Sequence, residues 1–174
     1  QNNLNLIPKM GVNLITYRPN LELQKKIIKI GFEKYGDPDL MSHCLLHAYP
    51  IRVAVQLKIP LVLHGENSAY EYSGEKNLAE RDFDQEWFKK YAANKGMTPK
   101  KFSKIHKINY KKMIVYDLPK PNDLKKVKIN FTSYFFKWSG EINLKIAQKY
   151  GFKALNTSGE GTYRNYVGID EKIN

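Results

Sequence analysis

Leu61-Val62-Leu63-His64, breaking at once into Gly65-Glu66-Asn67-Ser68, is the stretch that decides the fold. A short apolar run bounded by Pro60 and Gly65 reads as a strand buried on both faces, the form strands take in parallel sheets. The abrupt polar loop then stands at the strand's carboxyl end, where open α/β sheets bind their ligands. Gly65 lets a ligand or a neighbouring backbone come close. Glu66 supplies an acceptor and Asn67 an amide that both donates and accepts. Further on, Glu71 adds a second carboxylate, so the loop has the groups for magnesium binding or proton transfer. The plainer account is a polar turn in which Glu66 and Asn67 cap the next helix.

Upstream of this strand, Ser42 to Lys58 reads as a helix with Pro50 in its first turn or at a kink. Before it, Asn20 is a candidate N-cap, Leu23, Ile27 and Ile30 recur at helical spacing, and Gly36-Asp37-Pro38 ends the segment. Val12 to Tyr17 (VNLITY) has strand composition and is followed by the turn residues Arg18-Pro19-Asn20.

Downstream, Ala79 to Tyr91 reads as an amphipathic helix with Phe83, Trp87 and Tyr91 at four-residue steps, and simple core packing accounts for those rings. Thr98-Pro99 predicts an N-cap with proline at the first helical position, and Leu118 to Asp123 an extended linker. Val127 to Phe136 restores strand composition, and Glu141 to Tyr150 forms a last helix closed by Gly151. Strands separated by helices predict an α/β fold with a parallel sheet. Residues 75–127 form a helical insertion between two strands of a single domain spanning residues 1–174.

With 42% hydrophobic residues over 174 positions, the chain can bury a core without metal or disulfide staples. The one cysteine, Cys44, excludes an internal disulfide and fits a reducing compartment such as the cytoplasm. No apolar run approaches the roughly 20 residues that span a bilayer, so no membrane role is expected.

The net charge of +12 raises nucleic acid as a partner, and its distribution sharpens the question. The excess is concentrated between Lys89 and Lys112, a stretch with nine lysines and no acid. Base-edge readout and bidentate phosphate clamps favour arginine, and only four of the 29 basic residues are arginine. A solvated lysine-rich helical surface is therefore the plainer account, with a non-enzymatic RNA-binding module as the competing one.

Two further clusters carry chemistry-bearing side chains. Ser158 to Tyr166 is a glycine-containing loop whose Arg164 suits a phosphate or carboxylate better than a lysine would, although loops rich in glycine and serine are usually just loops. His43, Cys44, His47 and His64 raise a zinc site, but the paired ligand spacings that normally make one are incomplete. No metal ligand is assigned. Buried or partly buried side chains hydrogen-bonded near a pocket explain them without an ion. Ser73-Gly74-Glu75-Lys76 lacks the spacing of a Walker phosphate loop.

Four segments, GFEKYGDP (Gly31 to Pro38), YPIRVAVQLKIPLVLHGENSAYEYSG (Tyr49 to Gly74), YFFKWSGEINLKIAQKYGFKA (Tyr134 to Ala154) and EGTYRNYVGIDEKI (Glu160 to Ile173), carry a resemblance. In order and spacing they resemble the N-acetyl sugar amidotransferase family of bacterial surface-polysaccharide (lipopolysaccharide) and nonulosonic-acid (pseudaminic acid) biosynthesis. HGENSAYEYSG is similar to the family's GEN-x-x-x-EYGG segment, with Ser73 in place of its first glycine, and GTYRNY to its GTY-x-NY segment.

That family is similar to the ATP pyrophosphatases. The resemblance implies an incomplete Rossmann-like, adenine nucleotide alpha hydrolase-like parallel sheet. It implies ATP with Mg2+, and adenylation of an acetamido carbonyl on a nucleotide-linked sugar or nonulosonic acid. Ammonia from a separate glutaminase subunit would then displace AMP and leave an acetamidino group. It assigns Gly65, Glu66 and Asn67 to the nucleotide, Glu66 and Glu71 to catalysis, and Tyr72, Glu160, Tyr163 and Arg164 to the substrate. The family's Ser-Gly-Gly-x-Asp-Ser pyrophosphate loop does not occur in these 174 residues. The resemblance therefore implies an internal fragment, inactive by itself, with the pyrophosphate loop upstream of residue 1 and a helical region after Asn174. An RNA-thiolating relative in the same superfamily fits the lysines but not the missing paired cysteines. Docking of the glutaminase is another use for the basic surface.

Overall fold

A computed structural model of the chain describes residues 2–65, 83–93, 96–137, 139–158 and 165–166. The fold mixes helices with one two-stranded parallel sheet. It divides into two compact units, Arg18–Lys137 and Gln1–Tyr17 with Trp138–Asn174.

Helix α1 (Asn2–Met10) belongs to the smaller unit; in the larger unit, α2 (Leu21–Tyr35) starts where expected. The Asn20 side chain accepts a hydrogen bond from the Leu23 amide at 2.9 Å, satisfying one of the donors that every helix start leaves open. At the other end Gly36 takes the left-handed conformation, φ 66°, and its amide and that of Asp37 donate to the carbonyls of Phe32 and Gly31. This closure folds the chain back across the helix. Gly31 is buried there, and a Cβ on it would run into the Asp37 carbonyl oxygen.

Helix α3 (Leu40–Leu57) buries Leu40, Met41, Cys44, His47, Ala48, Ile51 and Ala54, a stripe at three- and four-residue steps that faces one core. Pro50 lies well inside this helix rather than in its first turn, which begins earlier than the sequence suggests. Its ring side is solvent-exposed. Lys58, at φ 57°, ends the helix, and Pro60 leads into β1 (Leu61–His64).

Strand β1 pairs in parallel with β2 (Lys128–Phe131), Leu61 opposite Lys128 and His64 opposite Phe131. A parallel pair requires a crossover. Every described element between the strands is helical: α4 (Gln85–Trp87) running into a π turn (Phe88–Ala92), α5 (Pro99–Ile105), α6 (Tyr110–Met113) running into a 3-10 turn, and α7 (Pro121–Leu124). Thr98 caps α5 with Pro99 at its first position, as the dipeptide predicts.

Several expectations need correction. Leu118 to Asp123 is not wholly extended, since Pro121 opens the turn α7 with a φ already set for helix. The helix over Ala79 to Tyr91 begins at Gln85 within the described residues, with Asp84 as its cap. Strand β2 stops at Phe131, and Thr132–Tyr134 forms a 3-10 turn. β1 is not buried on both faces: Val62 and His64 point inward, while Leu61 and Leu63 are 43% and 54% exposed. Along β1 alternation therefore replaces double burial, although Asn130, the β2 partner of Leu63, is largely buried.

The smaller unit holds α1 (Asn2–Met10) and α8 (Gly140–Lys149). Ser139 accepts from the Ile142 amide to cap α8, and Gly151, at φ 101°, ends it beside the Lys9 side chain. Residues 12–17 form no strand, against expectation, and Val12, Leu14 and Ile15 are about half exposed. Strand composition reports fitness for a half-buried pleated surface, and among the described residues the run has no ladder partner. No helix among the described residues is long and apolar enough to cross a membrane.

Candidate functional site

The carboxyl end of β1 is built on a cluster of rings. His64 is the last strand residue, and its inward orientation follows from the two-residue pleat that also buries Val62. His47 comes from the buried stripe of α3, one turn after Cys44 and one before Ile51. The two imidazole centroids are 5.1 Å apart. Phe83 stacks on His64 at 5.9 Å, Trp87 meets His47 edge-on at 5.2 Å, and Phe131 from β2 lies 5.4 Å from His64.

An imidazolium has little water or countercharge in such a place. Burial pushes His47 down to about 3, helped by the neighbouring charges of His64 and His43, and burial alone pushes His64 down to about 4. Both are neutral at pH 7. His64 Nε2 is buried and has no hydrogen-bond partner among the described residues, which is unusual for a buried polar atom.

Gly65 leaves this cluster for the surface. It is exposed, and a Cβ on it would meet nothing within 4 Å, so its backbone is open to close approach. The other candidates from the sequence, Glu66, Asn67, Glu71, Tyr72, Glu160, Tyr163 and Arg164, lie outside the described residues. Asn165 and Tyr166 of the second loop are described. Asn165 returns to Leu155 through two bonds of 2.8 Å, its side-chain amide donating to the Leu155 carbonyl and its own carbonyl accepting from the Leu155 amide.

The zinc candidates separate. His47 and His64 come together, His43 is exposed on α3 one turn before His47, and the Cys44 thiol donates to the carbonyls of Leu40 and Ala92. Burial first, then the charges of Asp117 and Asp37, push that thiol far up, so it stays protonated. Among the described residues no three histidine, cysteine or acidic side chains are grouped as metal ligands.

Two features escape sequence reading. Arg52 on α3 donates through Nη1 to the carbonyls of Asp117 and Leu118, at 3.0 and 3.3 Å, and so holds the segment after α6 onto α3. Tyr110 donates to Asp117 at 3.0 Å and is pushed up to about 12 by burial, by the Asp117 charge and by that bond. Separately, a cleft of about 490 Å³ opens beside the first half of β2, walled by Phe83, Leu124, Val127 and Ile129 and edged by Asp84 and Lys125. Its size and apolar lining suit a small ligand. Phe83 is shared with the ring cluster; its helical spacing to Trp87 is the one sequence signal that pointed there.

The chain matches no protein-family model and no curated protein sequence.

Proposed function

We propose that this chain is part of an ATP-dependent amidotransferase that converts an acetamido group of a nucleotide-linked sugar or nonulosonic acid into an acetamidino group. The observation that carries the proposal is positional. The parallel pair β1–β2 delivers Gly65, with open space over its Cα, from the carboxyl end of a strand, and ligands of open parallel sheets bind at such a place. The four ordered segments that resemble the N-acetyl sugar amidotransferases supply the chemistry.

In this reading the sheet is Rossmann-like, of the adenine nucleotide alpha hydrolase-like kind, and works in the cytoplasm. Gly65, Glu66 and Asn67 hold ATP with Mg2+, and Tyr72, Glu160, Tyr163 and Arg164 hold the sugar. ATP supplies an α-phosphorus that the amide oxygen attacks with release of pyrophosphate; ammonia from a glutaminase subunit then adds to the carbon and displaces AMP. An amide oxygen leaves poorly until it is made into a phosphate ester, which is why ATP is consumed. In this reading Glu66 and Glu71 bind the cation or take the proton that ammonia loses. The buried His47–His64 cluster, uncharged at neutral pH, lies at the carboxyl end of β1.

The test is AMP release from ATP, with ammonium and acetamido sugar donors, by a protein carrying these residues together with a Ser-Gly-Gly-x-Asp-Ser segment. Sugar-dependent AMP release, lost in Glu66→Gln, is the expected result; AMP release that ignores every acetamido sugar rejects the reaction.

A further inference from the structure

We propose that the cleft between the second half of α3 and the segment leading from α6 into α7 binds the phosphate group of a small phosphate monoester. It lies apart from the candidate loop after β1, and the two readings stand or fall separately.

The chain path gives the position. His47 of α3 meets His64 at the carboxyl end of β1. Helix α3 then runs on to Lys58, which leads through Pro60 into the start of the same strand. Arg52, Val55 and Gln56, further along α3, therefore lie toward the amino end of β1 and away from Gly65. With Pro119, Lys120 and Asp123 they line a cleft of about 310 Å³.

Arg52 is the fixed group of this cleft. It is half-buried, and its Nη1 donates to the carbonyls of Asp117 and Leu118 at 3.0 and 3.3 Å. One nitrogen thus holds the segment and sets the plane of the guanidinium. Nε and Nη2 make no hydrogen bond to a described residue, and no carboxylate among the described residues forms an ion pair with the side chain. Asp117 is engaged elsewhere, since its Oδ2 accepts from the Tyr110 hydroxyl and its Oδ1 from the Leu118 amide. Arginines withdrawn from water are ordinarily paired, and this one is oriented by backbone while its remaining donors stay open. The planar edge they form matches phosphate oxygens two at a time.

The other lining groups set the charge of the ligand. Lys120 is exposed and forms no ion pair among the described residues. Asp123, the one carboxylate of the lining, is bonded to Lys126 at 2.8 Å. Arg52 and Lys120 are thus two cations without a carboxylate in contact, which suits a dianion better than a singly charged carboxylate. A phosphate monoester carries close to two negative charges at neutral pH. The exposed amide of Gln56 adds a neutral donor, and Val55 and Pro119 offer apolar contact to the organic part. The volume is at the small end of ligand sites, so a small molecule fits it.

The experiment titrates phenyl phosphate into the whole chain by calorimetry at neutral pH and low salt. One saturable site is expected, at least about tenfold tighter than for phenyl sulfate or benzoate, which keep the ring and carry a single charge. Gln56→Glu sets a carboxylate one turn from Arg52 and should weaken phenyl phosphate more than about tenfold; Lys120→Gln should weaken it severalfold. Both positions are exposed, so the fold is kept, and thermal melts check this. Lys104→Gln, an equal loss of charge on α5, should leave affinity unchanged. No saturable binding, equal affinity for the singly charged analogues, undiminished binding in Gln56→Glu, or an equal loss in Lys104→Gln would each overturn the proposal.

Discussion

The imidazoles of His47 on α3 and His64 on β1 meet at 5.1 Å, inclined at 60°, within a shell formed by Phe83, Trp87 and Phe131. The contact ties the longest described helix to the strand that carries the candidate loop. It also makes the stability of the larger unit depend on both rings being neutral.

The sign of that dependence follows from the two shifts. Folded values of about 3 and about 4 lie below the ordinary 6.5, so on acidification the unfolded chain takes up protons that the folded chain refuses. The stabilisation is complete above about pH 7 and declines as pH falls from there toward 4, by up to about 1.4 kcal/mol per pH unit for each imidazole. Urea unfolding at pH 7.5, 6.5 and 5.5 should show this decline, and His47→Phe should flatten it. An unchanged slope in the variant would mean that other groups set the acid limb.

Gly31 allows the loop after α2 to fold back over its own helix. An added Cβ meets the Asp37 carbonyl oxygen, a backbone atom that cannot swing aside. Gly31→Ala should cost about 1–3 kcal/mol. Gly36→Ala is strained only by its φ of 66° and should cost about 1 kcal/mol. Thermal melts of the two variants test the ranking; an equal or smaller loss at Gly31 would contradict the close approach.

Arg52 satisfies two carbonyls of a segment that makes no strand or long helix. Arg52→Ala should destabilise by about 1–3 kcal/mol because both carbonyls lose a charged donor. Arg52→Lys, a point charge without the planar fork, should recover only part of this in denaturant titrations. Full recovery by lysine would show that charge alone matters at this position.

Cys44 is fully buried and its thiol is held protonated by its surroundings. Thiolate is the reactive form, so labelling by an aromatic disulfide reagent should be negligible in the folded chain at pH 8 and complete in about one burst after denaturation. Fast labelling of the native protein would place α3 further from the π turn than the Cys44 to Ala92 hydrogen bond allows.

Local chemistry was legible along the chain. Asn20, Gly36 and Thr98-Pro99 bound helices through groups no more than a few residues away, so short windows of sequence contain the whole interaction. The strand before Gly65 was legible for the same reason. Val12 to Tyr17 shows the limit: it carries the same kinds of residues as β1 and forms no strand, because strand formation requires a partner supplied from elsewhere.

By itself, then, the sequence determined the caps of α2 and α5, that helices separate the two strands, and which stretch is lysine-rich. Only the tertiary structure decided that β1 and β2 are parallel neighbours, that His47 and His64 share one apolar enclosure, that Arg52 reaches the carbonyls after α6, and that the Tyr35 hydroxyl meets His106. Caps and turns are sums of contacts between near neighbours. Pairings across 17, 65 or 71 positions, as from His47 to His64, from Arg52 to Asp117 and from Tyr35 to His106, depend on how every intervening element packs.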